Sequence, residues 1–205
     1  INSYPMNGNN EWSETVILVD ADYADRVAFD LIVNFERMLE RRIPAADLPR
    51  WLDCLALDGG VRPADEGKGE IQAIFLHAKE RLALENFMPA HFERDLNGQA
   101  FRDNLGEFAL ASFAVEDIVS PADFYVQSLE ALLGASGVKR LILVPDEEAY
   151  GERVRRSLAG ASEGKEVTLL TMTPHPARGY TEELLGYSLM NALGIRASEL
   201  GGSDR

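Results

Sequence analysis

Apolar runs that lack polar alternation recur along this chain: TVILV (15–19), IQAIFLH (71–77), RLILV (140–144) and VTLLTM (167–172). A strand loses alternation when both of its faces are covered, the situation of a parallel sheet packed between helices. EFALASFAVEDI (107–118) reads as a fifth strand. Helical spacing fills most of the intervals. Val27, Leu31, Phe35 and Met38 recur within 24–42, Ala28, Ile32 and Leu39 widen their stripe, and Arg41-Arg42 close it before Pro44. Further helices are expected over 48–57, over 120–133 with Ser120 as N-cap and Pro121 in the first turn, over 147–160, and from about Thr181 to Leu193. Residues 79–106 mix helix formers with Pro89, Gly98 and Gly106 and are expected to form irregular helices. This order predicts a three-layer α/β fold, a mostly parallel sheet of about five strands with helices on both faces. Ligands of such sheets sit beyond the carboxyl ends of the strands, where strand order reverses.

One domain suffices for 205 residues. The pattern gives a polar lead-in over 1–13, a domain over 14–196 and a tail over 197–205. No stretch reaches the roughly 18–20 apolar residues that span a bilayer, and the polar start reads as neither signal nor anchor. Cys54 is the single cysteine, which excludes an internal disulfide and suits a reducing, cytoplasmic setting. With 34 acidic against 20 basic residues, the net charge of −14 disfavours non-specific adhesion to phosphate backbones. His77, His91 and His175 have no ligand spacing, and no nucleophile elbow, phosphate loop or dinucleotide fingerprint occurs.

Acids gather where the strands end. The first strand runs into Asp20-Ala21-Asp22 with Asp25 beyond, the fourth into Asp146-Glu147-Glu148, and Asp123 opens the intervening helix. Consecutive parallel strands end side by side, so these carboxylates are candidates to converge on a divalent cation. Taken singly, each has a plainer role, because acids cap helices and favour the amino end of the helix dipole. Arg153, Arg155 and Arg156 read as a solvated helix face.

VILVDADYADRVAFDL resembles the opening of NYN domains of the PIN-like nuclease superfamily, a hydrophobic strand, an Asp-x-Asp-Asn motif and a helix. SPADFYVQSLEALL (120–133), RLILVPDEEAYGERV and GKEVTLL are similar to that family's later segments, in the same order. The resemblance implies Mg²⁺ or Mn²⁺ held by Asp20, Asp123, Asp146 and Glu148, with Asp22 as a further acidic catalytic residue. RNA would be the substrate, and a metal-bound water would attack phosphorus. Three positions depart from the pattern: Tyr23 stands where the family has Asn, Val144-Pro145 replace Ser-Gly, and Glu148 replaces Asp. Two outcomes therefore stay open, an active nuclease and a non-catalytic relative that binds a protein partner or its own copies, for which Trp12 and Trp51 are candidate contacts where they are exposed.

A haloacid-dehalogenase-like phosphatase also begins with Asp-x-Asp, but Ala24 stands where it expects Thr or Val, and His77 where it expects Ser or Thr. A Toprim-like reading, with Glu116 and Asp146-Glu147-Glu148, leaves too few elements between the two motifs.

Overall fold

The computed structural model describes residues 12–63, 69–161 and 164–201. Every residue of β1 (Thr15–Asp20) is buried, as a strand covered on both faces requires. β1 pairs in parallel with β3 (Glu70–Ala78) on one side and β7 (Arg140–Val144) on the other. β6 (Gly106–Val115) extends the sheet beyond β3, and β8 (Glu166–Thr171) extends it beyond β7. All five are parallel. Two edge strands add to the five expected from sequence. β5 (Ala100–Asp103) folds back antiparallel on β6, and β9 (Thr181–Leu184) lies parallel to β8. The seven-stranded order is β5-β6-β3-β1-β7-β8-β9.

Helices cover both faces. α1 (Ala21–Leu39), α2 (Leu48–Asp58) and α5 (Leu185–Ala192) pack on the side of Ile17 and Val19. α3 (Pro121–Gly134) and α4 (Glu147–Ala161) pack on the side of Val16 and Leu18. The chain is a three-layer α/β protein, and among the described residues no helix is long and apolar enough to cross a membrane. Sequence signals set the helix ends. Asp47 accepts the Arg50 amide at 3.1 Å to cap α2, and Ser120 accepts the Asp123 amide at 3.0 Å to cap α3 ahead of Pro121. Tyr125, Leu129, Leu132 and Leu133 are buried in α3, and Tyr150, Val154 and Leu158 in α4, as their spacing predicts.

Three stretches differ from expectation. The interval 79–106 holds β4 (Phe87–Met88), which pairs with β2 (Ala46–Asp47), a π-helical turn at Phe92–Leu96, and β5. Residues 181–184 form β9 before helix α5 begins, because Thr-Glu-Glu-Leu can pair along β8. The tail is not uniformly irregular. α6 (Ala197–Leu200) is docked by Arg41, whose guanidinium takes both carboxylate oxygens of Glu199 at 2.9 and 3.1 Å. The expected lead-in and the last tail residues fall mostly outside the described residues. Trp51 is buried against Phe87 and donates to Ser188 at 3.1 Å, so it is a core residue and no surface contact.

Gly59 ends α2 over the sheet, where a Cβ would lie 2.4 Å from both Cγ1 and Cδ1 of fully buried Ile142. Its φ of −78° suits any residue, so steric crowding alone decides the outcome of substitution. Gly59→Ala gains about 0.4–1 kcal/mol by restricting the unfolded chain but overpacks the core at about 1–3 kcal/mol. We expect a net loss of about 1 kcal/mol in urea denaturation. An unchanged midpoint would mean that Ile142 finds another rotamer.

Candidate functional site

Strands β3 and β6 lie on one side of β1 and β7 to β9 on the other, so order reverses at β1, the usual ligand position in such sheets. Asp20 is the last residue of β1 and Asp146 follows β7. The switch point is where two of the candidate acids meet.

Asp20 points into the layer of α3 and α4 and is 9% exposed. It caps α1 by accepting the Tyr23 amide at 3.1 Å and accepts the Tyr150 hydroxyl at 2.5 Å. Tyr150 leaves the helical conformation within α4 (φ −148°, ψ 22°), and its ring packs at 5.4 Å from Tyr125. Tyr125 in turn donates to the Leu18 carbonyl at 2.9 Å. Burial pushes the Asp20 pKa up to about 6, against the pull of the Tyr150 and Tyr23 hydrogen bonds; Asp22 and Asp146 add to the rise. These three acids therefore share one local field. The same burial, with Asp20 beside it, raises the Tyr150 pKa and keeps its phenol a donor.

Each remaining acid is already engaged. Asp22 accepts the Ala78 amide at 2.7 Å, tying α1 to the end of β3, and lies 3.5 Å from Arg81 Nε. Asp25, 1% exposed, accepts Arg81 Nη2 at 2.6 Å and the amides of Glu85 and Asn86 at 3.0 and 2.8 Å. Asp146 caps α4 through the Ala149 amide at 3.0 Å and accepts Arg26 Nη2 at 3.0 Å. That guanidinium lies over the Tyr23 ring, 5.3 Å from its centre, and 3.9 Å from mostly exposed Glu148. Asp123 stands apart. It pairs with Arg153 of α4 at 2.8 Å, and the Arg153 hydrogen bond holds its pKa below the usual carboxylate range with no acid among the causes.

The structure thus brings Asp20, Asp22 and Asp146 together around the switch point and places Asp123 in a bridge between two helices. Among the described residues, no group of three or more Asp, Glu, His or Cys is arranged to hold a metal ion. Arg26, Arg81 and Arg153 bring positive charge to Asp146, Asp25 and Asp123. The donor set fits Mg²⁺ or Mn²⁺ poorly, because a guanidinium takes a lone pair of Asp146, a phenol takes one of Asp20, and Asp123 is held apart by Arg153.

Sequence reasoning missed these arginines. Arg26 sits one helical turn after Asp22, a weak signal, and Arg81 lies in a stretch with no periodicity. Arg153, read as solvated, spans two helices, and Arg155 pairs with Glu182 at 2.7 Å. Glu147 accepts the Met172 amide at 2.6 Å and fixes the loop after β8. His77 is buried at the end of β3, stacked on Phe92 at 3.8 Å, with Nε2 lacking a hydrogen-bond partner. A cleft of about 510 Å³ opens at the opposite, amino edge of the sheet, between Trp12, Arg62 and Arg140.

No curated protein and no solved structure matches this chain. The sequence model of a family of unknown function, DUF6621, matches residues 9–200, and the chain belongs to that family.

Proposed function

We propose that this chain is a non-hydrolytic binding domain of PIN/NYN-like architecture, in which internal arginines have taken the place of the catalytic cation. One observation carries the reading: Arg26, Arg81 and Arg153 each hold a carboxylate that the resemblance assigns to the acidic cluster or that lies beside it. A buried or half-buried carboxylate paired with guanidinium needs no metal to offset repulsion. The net charge of −14 works against RNA, and the strand-end arginines that could contact phosphate are engaged with acids. A protein partner suits this chemistry better. Cys54, unpaired, keeps a cytoplasmic setting as the companion expectation.

Calorimetric titration of Mn²⁺ into the wild type and into Asp20→Asn tests the reading, together with incubation of both proteins with labelled single-stranded RNA. The expected result is the same small heat from both proteins and intact RNA. A saturable heat present only in the wild type, or cleavage that Asp20→Asn abolishes, restores the nuclease.

A further inference from the structure

The two halves of α1 behave differently. Ala21, Tyr23, Ala24, Asp25, Val27 and Ala28 are buried, and no residue after Ala28 is. Yet seven of the eleven residues from Phe29 to Leu39 are apolar. Leu31, Ile32, Phe35 and Leu39 are only partly buried against the core. Phe29, Val33 and Met38 are 53%, 37% and 64% exposed. Length explains the difference: 19 residues of helix span about 28 Å, whereas the six residues of β1 span about 20 Å, so the end of α1 outruns its strand. A helix apolar on most sides is ordinarily buried.

We propose that the outward face of α1 is a self-association surface on which a second copy of this chain packs, α1 against α1 in antiparallel sense. Charge placement selects this occupant. Asp30 and Arg37 are exposed, lie on the same outward stripe as Val33, and have no ion-pair partner among the described residues. They are spaced symmetrically about Val33–Asn34. Two antiparallel copies therefore set Asp30 of each opposite Arg37 of the other, beside Phe29 and Val33 of both. The contact is isologous and closes as a dimer. A parallel pair would place Asp30 against Asp30 and Arg37 against Arg37, which like-charge repulsion disfavours. The proposal stands independently of whether the strand-end acids bind metal.

Sedimentation velocity of the full chain over a micromolar concentration series tests it. Mass should rise from one copy to two. Val33→Lys places a charge at the centre of the contact and should weaken dimerisation by about tenfold or more, the effect of disturbing a central contact residue. Val33 is surface-exposed, so circular dichroism and the melting temperature should stay near those of the wild type. Asp30→Arg and Arg37→Asp should each weaken the dimer, and the two together should recover it, because the swap restores opposite charges across the axis. A chain that stays monomeric throughout overturns the proposal. So does a dimer indifferent to Val33→Lys, or a charge swap that fails to recover association.

Discussion

Asp25→Ala should lower the folding stability by about 3–5 kcal/mol, the cost of breaking a buried charge pair by removing one partner. The side chain is 1% exposed and accepts from Arg81, from the Glu85 and Asn86 amides, and from Asn86 Nδ2 at 3.2 Å. Alanine would leave two backbone donors and a guanidinium without their acceptor, each costing on the order of 1–3 kcal/mol unless water enters. The damage spreads along the chain. The Asn86 carbonyl accepts the Ala46 amide at 2.8 Å, which aligns β2 with β4 and sets Phe87 against Trp51 at 5.0 Å. A control separates this effect from ordinary charge loss. Lys79 and Asp117 form an ion pair between half-exposed and mostly exposed side chains, and Lys79→Ala should cost less than about 1 kcal/mol. Urea unfolding of both variants measures the contrast. If Asp25→Ala falls within about 1 kcal/mol of the wild type, the carboxylate does not organise this segment.

That result would also bear on how much of the acidic motif's surroundings can be read from sequence. Five parallel strands, their order in the chain and the cap at Ser120 were legible, because burial on two faces and unpaired helix amides leave local signatures. Edge strands were not. In β9, Thr181 and Glu183 are exposed and Glu182 and Leu184 only partly buried, so no fully buried residue distinguishes TEEL from the first turn of the helix that follows. The segment 79–106 escaped for another reason. Its order comes from acceptors supplied by distant residues, Asp25 above all, and a chain held by long-range hydrogen bonds shows no period. The acids at the strand ends were located well, with Asp20 and Asp146 at the switch point and Asp22 beside them. Their partners were invisible, since pairing Arg81 with Asp25 or Arg153 with Asp123 joins residues dozens of positions apart. Spacing can show which carboxylates converge. It cannot show which cation answers them.

Asp20 gives the largest expected pH effect. Burial holds its pKa near 6 in the folded protein, against 3.8 for the free side chain. Below about pH 3.8 both states are protonated and the full contribution is present. As pH rises towards 6, the unfolded chain releases this proton while the folded chain keeps it, so stability falls. Above about 6 both states are ionised and the loss is complete. At about 1.4 kcal/mol per pH unit, the interval from 3.8 to about 6 amounts to about 3 kcal/mol. Asp53 and Asp58 are also pushed up to about 6, first by burial, and act in the same direction. Solvent reaches both, so their contributions are smaller, and both are common to the wild type and to Asp20→Asn. Stability measured by urea between pH 4 and 7 should therefore decline more steeply in the wild type than in Asp20→Asn, by up to about 3 kcal/mol over the range. Tyr150→Phe supplies the second arm. Without the phenol, the buried carboxylate loses a donor that favours its ionised form, so the decline should extend to higher pH than in the wild type. Parallel profiles for all three proteins would mean that water reaches Asp20, and that the short Tyr150 contact does not seal the switch point.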